Sequence, residues 1–248
     1  MTMQLTTLKL TLNCHMHGRY TGIDSFNKCM DKEHFLNYPY KIEYKHNSRG
    51  FRGPEWPINL DGICWCIGDS FTSGVGQPYE HTWPYVFSSK SNIPVINVSM
   101  DGASNTWISR KTIEILEIQP KYIIIQWSYI HRRERDIDIK IDSKNRINCD
   151  EERTIWYSSE TNEEDIQNTI DCINLVETNK KDTTIIHTFI PKNVPEGYEL
   201  IFKDLIEKMN INVIWFDQLD YARDYLHYDI KTSASLAEKI IASKYINI

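Results

Sequence analysis

Residues 64–76 read CWCIGDSFTSGVG, a strand-like apolar run that passes into Gly-Asp-Ser and then into small, flexible residues. Taken alone, the stretch supports two readings of Ser70. It is a nucleophile held at the end of a buried strand, or a serine in an ordinary turn, because Gly, Asp and Ser are all turn residues. The rest of the chain must supply partners for it.

From about residue 60 the chain alternates between short apolar runs and helix-length segments. ICWCIG (63–68) is followed by the amphipathic EHTWPYVFSSK (80–90), PVINVSM (94–100) by SNTWISRKTIEILEIQ (104–119), and then comes KYIIIQWS (121–128). The alternation resumes with a helix in 162–181, a strand in TTIIHTFI (183–190), a helix in 197–210, a strand in NVIWFD (212–217) and a last helix in 231–245. Apolar runs separated in this way predict βαβ units around a mostly parallel sheet, here of five strands. Two segments fall outside the alternation. Residues 1–58 are rich in Tyr, His and Asn and are expected to form an N-terminal extension packed on the core of 59–248. Residues 129–158 form a charged insertion between the third strand and the next helix. No repeat of 20–50 residues is visible.

Among the 248 residues, 41% are hydrophobic and 25% charged, which is globular composition. The net charge of -6 offers no basic field for nucleic acid, so a small neutral substrate is the expected partner. No run reaches the roughly 18 apolar residues of a membrane span. The start does not read as a secretory signal, so a cytoplasmic location is expected. The oligomeric state is not legible. The six cysteines are scattered, and reduced thiols are expected. Cys64 and Cys66 share one face of a strand and read as core. CHMHG (14–18) offers metal-ligand atoms in Cys14, His15 and His17 but lacks a second ligand pair, so no metal is expected.

In an open parallel sheet, the loops at the carboxyl ends of the strands line the ligand crevice. The first three strands deliver GDSFTSG, NVSMDGASN and QWSYIHRRE there. Past the fifth strand comes ARDYLHYD, in which Asp224 and His227 stand three apart, a spacing that lets both side chains point the same way. A serine hydroxyl becomes a nucleophile when a base takes its proton, and the base works best when a third group orients it. Ser70, His227 and Asp224 fill those three roles. An ester carbonyl under attack also needs preset donors. Ser70 and Gly102 offer backbone N–H groups, and Asn105 or Ser128 offers a side chain. Asn105 also stands where a helix begins, a place for a capping residue. The charged HRRERD (131–136) reads as a solvated loop, although its place beside the crevice makes Arg132 or Arg133 a contact for an anionic substrate group.

IGDSFTSGVG followed by TWP, Gly102 in NVSMDGASN and the Asp-x-x-His of DYLH resemble, in order, the blocks of the GDSL-type esterases and lipases of the SGNH hydrolase superfamily. NSRGFRGPE (47–55) resembles the lead-in of many members. The resemblance covers residues 47–240. It implies a flavodoxin-like three-layer α/β/α fold, a Ser70-His227-Asp224 triad, an oxyanion hole and no cofactor. The third block departs from the family: QWSYIHRRE lacks the Asn of Gly-x-Asn-Asp, and Asn105 is expected to take its place, with Ser128 next. The expected function is hydrolysis of a carboxylic ester through an acyl-enzyme. O-acyl transfer or deacetylation on a glycan or small hydroxyl compound is the alternative, as is a carbohydrate-binding module without turnover.

Overall fold

The computed structural model describes residues 10, 23–136, 145–149 and 153–247. Four of the apolar runs form β1 (Cys64–Gly68), β2 (Val95–Ser99), β3 (Tyr122–Trp127) and β7 (Thr184–Phe189), all parallel, in the order β2-β1-β3-β7. β1 and β3 lie at the centre and are buried along their whole length. Continuous rather than alternating hydrophobicity is what a strand covered on both faces requires. Each fully enclosed Ile of the 123–125 run adds about 1.5–3 kcal/mol through the apolar surface it removes from water.

Side-chain alternation sends these strands into two separate cores. Trp65, Ile67, Ile123, Ile125 and Ile185 face one side, where they meet Trp107, Ile108 and Ile115 of α4 (Asn105–Leu116), Ile173 of α5 (Asn162–Asn179) and Phe202 of α6 (Glu199–Lys208). Cys64, Cys66, Ile124 and Ile186 face the other, against Phe87 of α3 (Trp83–Ser91) and Leu236 and Ile240 of α7 (Ile230–Ile241). The result is a three-layer α/β/α fold with flavodoxin-like strand order. Two of its helices, α4 and α5, begin where short polar side chains satisfy first-turn N–H groups, whereas α3, α6 and α7 begin without a side-chain cap. Ser104 caps α4 by accepting from Trp107 N, and Thr161 and Glu164 form a reciprocal capping box on α5.

Among the described residues the ladder has four strands rather than five. Residues 212–217 run beside β7 for a single bridge, Val213 to His187, with His187 N donating to Asn212 O at 2.8 Å and Ile214 N to His187 O at 2.9 Å. The side-chain amide of Asn212 donates to Ile185 O at 2.9 Å and so occupies an acceptor that a longer ladder would use. Trp215 stacks on Phe189 at 5.0 Å as the segment leaves the sheet edge.

HRRERD is not a solvated loop, because Arg132–Asp136 form a strand. Within the charged insertion the described residues hold β4 (Arg132–Asp136), β5 (Arg146–Cys149) and β6 (Arg153–Tyr157), an antiparallel sheet in the order β4-β6-β5. Arg132 and Arg133 are only 9% and 8% exposed. Their charges are buried because partners await them: Asp69 for Arg132, Glu160 and Asp165 for Arg133, and Arg110 and Arg153 for Glu134.

Candidate active site

β1 ends at Gly68, and Asp69 caps the short α2 (Ser70–Ser73) by accepting from Phe71 N at 3.0 Å. Ser70 therefore opens a helix at the carboxyl edge of the sheet, where its own N–H has no intrahelical acceptor. Its hydroxyl lies 2.8 Å from His227 Nε2, and His227 Nδ1 lies 2.5 Å from Asp224 Oδ2. A carboxylate can only accept, so the imidazole carries its proton on Nδ1 and takes the Ser70 hydroxyl hydrogen on Nε2. The two contacts span 157 residues and three residues of sequence respectively, and the fold brings all three side chains together.

Asp224 holds its geometry through a local turn: Oδ1 accepts from the backbone N–H of Leu226 and of His227, each at 3.0 Å. Tyr225, between them, takes a φ of 63°. Gly76 makes room for this turn. Its φ is +81°, and a Cβ there would come within 2.8 Å of Ala222 Cβ and 3.2 Å of Asp224 Cγ.

Charge sets the ionisation of the group. Burial pushes His227 down, but the charge and hydrogen bond of Asp224, with Asp101 and Asp69 adding their charges, hold the imidazole above its ordinary value. Burial pushes Asp224 up, and His227 together with the two backbone N–H groups more than offsets it, leaving the carboxyl below its ordinary range. Asp101 is raised by burial, while His227 and Arg132 draw it back down.

Around the serine, the expected oxyanion donors divide. Gly102 has a φ of 73°, and its N–H finds no acceptor among the described residues. Asn105 is fully buried with its amide committed elsewhere: Oδ1 accepts from Ser128 N at 2.8 Å, and Nδ2 donates to Thr169 Oγ1 at 2.9 Å and to Ser128 O at 3.3 Å. Neither amide hydrogen is left for a substrate, and the helix cap is Ser104, so both expectations for Asn105 are corrected. Ser128 is committed too, its hydroxyl donating to Asp69 Oδ2 at 2.6 Å and accepting from Arg132 Nη1 at 2.9 Å. Arg132 reaches Asp69 Oδ2 at 3.0 Å.

The N-terminal segment braces the two loops that carry Ser70 and Asp224, a role its mixed composition did not signal. Asp24 takes Arg223 Nε and Nη2 at 2.8 and 2.7 Å and the Tyr44 hydroxyl at 2.5 Å, and that hydroxyl accepts from Gly76 N. Met30 N donates to Asp224 O, and His34 of α1 (Lys32–Asn37) contacts Ala222 O through Nε2 at 2.9 Å. Arg52 donates to the carbonyls of Ser73, Gly74 and Gln77 on the other side.

Cys64 and Cys66 lie in the core, and burial, with Cys64 beside it, pushes the Cys66 thiol up. Cys14, His15 and His17 lie outside the described residues. Among the described residues, no cluster of His, Cys, Asp and Glu has a metal-holding arrangement, and no helix is long and apolar enough to cross a membrane.

The fold and site define a three-layer α/β protein with a serine, a histidine and an aspartate in one hydrogen-bonded chain at the carboxyl edge of its sheet. No family model and no curated protein matches the sequence. Solved structures with a similar fold include a protein assigned to the lipolytic G-D-S-L family from Desulfitobacterium hafniense DCB-2, at 17% identity and a TM-score of 0.48 over 73% of this chain and 98% of that one. A member of the same family from Veillonella parvula DSM 2008 gives 16% identity and a TM-score of 0.47 over 73% and 97%. A family two carbohydrate esterase from Clostridium thermocellum, in complex with cellohexaose, gives 14% identity and 0.49 over 73% and 62%.

Proposed function

We propose that the protein is a serine hydrolase that cleaves a carboxylic ester through an acyl-enzyme on Ser70. The observation that carries this reading is the chain Ser70 Oγ, His227 Nε2, His227 Nδ1, Asp224 Oδ2, with links of 2.8 and 2.5 Å in a buried setting. A hydroxyl in that position loses its proton to Nε2 as its oxygen bonds to the ester carbonyl carbon. The imidazolium that forms stands against the Asp224 carboxylate, which keeps the ring oriented through both steps. The carbonyl oxygen becomes an oxyanion and faces the N–H groups of Ser70 and Gly102. On collapse the C–O bond to the alcohol breaks, and His227 returns the proton to the departing oxygen. Water then attacks the acyl-enzyme, gives its proton to Nε2, and the carboxylic acid leaves as Ser70 recovers its hydrogen.

No step needs a cofactor. Asn105 and Ser128 have no place among the donors in this scheme, because their polar atoms are already committed. The test is a fluorophosphonate probe together with an aryl acetate. Wild-type protein is expected to take up one probe at Ser70 and to release the aryl alcohol, and Ser70→Ala to do neither. Labelling that survives Ser70→Ala removes the reading. Product that appears only when a hydroxyl acceptor is supplied replaces hydrolysis with acyl transfer.

A further inference from the structure

Arg132 sits where the loops after β1, β2 and β3 converge. One nitrogen, Nη1, donates to Asp69 Oδ2 at 3.0 Å and Ser128 Oγ at 2.9 Å and approaches Ala103 O at 3.4 Å. The guanidinium carbon lies 4.8 Å from the centre of the Tyr129 ring, and the side chain is only 11% exposed. The residue comes from β4 of the inserted sheet, 63 positions beyond Asp69, so a segment outside the α/β layers reaches back into the site.

Asp69 directly precedes Ser70, and both its oxygens are engaged: Oδ1 by Phe71 N, Oδ2 by the Ser128 hydroxyl and Arg132. Three carboxylates, Asp69, Asp101 and Asp224, favour the cationic form of His227. Arg132 is the cation paired with Asp69 at 3.0 Å. When the ester oxygen takes up negative charge, an uncompensated Asp69 one residue from Ser70 would oppose it in surroundings far less polarisable than water. The side chains of Asn105 and Ser128 are spent and cannot counter that field.

We infer that Arg132 is the charge-compensating residue of this site: it cancels the Asp69 carboxylate beside Ser70, so that the oxyanion forms next to a neutral pair rather than next to an anion. Arg132 is thus a positioning residue that acts through Asp69. The kinetic side of this inference rests on the ester-hydrolase reading, and its electrostatic side does not.

The experiment compares wild type, Arg132→Met, Arg132→Lys, Asp69→Asn and the double variant Arg132→Met/Asp69→Asn. Asn at 69 retains an oxygen for the Phe71 N–H. Two readouts are taken: the pH titration of the His227 imidazole by NMR, and kcat for an aryl acetate. The charged groups acting on His227 are Asp224 on its own loop, Asp69 after β1, Asp101 after β2 and, through Asp69 and Asp101, Arg132 from β4. In Arg132→Met, the unmasked Asp69 moves the His227 titration to higher pH, and kcat falls about tenfold to a hundredfold. Asp101 resists this by taking up a proton more readily, so the titration is repeated with Asp101→Asn. Arg132→Lys keeps the charge and restores most of kcat. In the double variant the His227 titration moves back to lower pH, and kcat recovers to within about tenfold of Asp69→Asn.

A folded Arg132→Met whose His227 titrates as in wild type overturns the inference, as does a kcat deficit that persists in the double variant. If Asp69→Asn folds but the double variant does not, Arg132 is a structural residue and the inference falls. Wild-type protein that takes no probe at Ser70 defeats the hydrolase reading, while the His227 titrations still decide the role of Arg132.

Discussion

Asn105→Ala separates an oxyanion donor from a structural tie between two helices and a strand end. The Asn105 side chain is buried and makes three hydrogen bonds: one accepted from Ser128 N at 2.8 Å, one donated to Thr169 Oγ1 at 2.9 Å and a longer one to Ser128 O at 3.3 Å. Truncation leaves the Ser128 N–H as a buried donor without an acceptor, at a cost of about 1–3 kcal/mol, and each lost donated bond adds about 0.5–1.5 kcal/mol. Thr169 softens the loss, since its hydroxyl also reaches Asp165 O at 3.2 Å. The sum is about 2–4 kcal/mol, which for a chain of this length lowers Tm by roughly 5–15 °C. Chemistry should suffer less. Ser128 Oγ, Asp69 and Arg132 still hold one another, so kcat for an aryl acetate is expected to stay within about tenfold of wild type, well short of the 10²–10³ typical of a lost oxyanion donor. Urea unfolding, thermal unfolding and kcat measured on one preparation decide the matter. A variant with unchanged Tm and a hundredfold lower kcat would refute this assignment and return Asn105 to the oxyanion hole.

Three further outcomes are expected. The value of kcat/KM should rise with pH as His227 loses its proton, with a midpoint above the roughly 6.5 of an ordinary histidine, because Asp224, Asp101 and Asp69 outweigh burial. A midpoint below that value in the free enzyme would count against the electrostatics described. The same shifts govern stability. The raised His227 contributes fully below its unfolded-state value and loses its contribution as pH rises through its folded value. The lowered Asp224 contributes above its unfolded-state value and loses its contribution as pH falls through its folded one. Asp24→Ala should cost about 2–4 kcal/mol, somewhat less than a fully buried pair because Arg223 is 21% exposed, and should lower kcat through the neighbouring Asp224. Unfolding midpoint and kcat report it, and an unchanged midpoint would show that the N-terminal brace carries no load.

The parallel sheet was legible because its cause is local. Strands covered on both faces must be apolar throughout, and the runs at 63–68, 94–100, 121–128 and 183–190 say so without reference to anything distant. The helix segments were legible for the same reason, although the cap of α4 is Ser104 rather than Asn105; Ser104 and Thr161 each act on an N–H group three residues away. Ser70, Asp224 and His227 were recognisable as candidates because residue type and the three-residue spacing of the Asp and His restrict what they can do. Their meeting is a property of the fold: the turn set by Asp224 Oδ1 aims His227, and the sheet carries Ser70 to it across 157 residues.

Where fate depended on a distant partner, local reading failed. HRRERD is as polar as any solvated loop, yet Arg132, Arg133 and Glu134 enter the protein because Asp69, Asp165 and Arg110 meet them there. NVIWFD is as apolar as a strand, but one side-chain amide and one aromatic stack draw it off the edge of β7. Asn105 is close to Gly102 in sequence and still unavailable, since Thr169, 64 residues on, holds its amide. Burying a charge or an amide is favourable only when its partner is in place, and partners 23 to 64 residues away are supplied by folding.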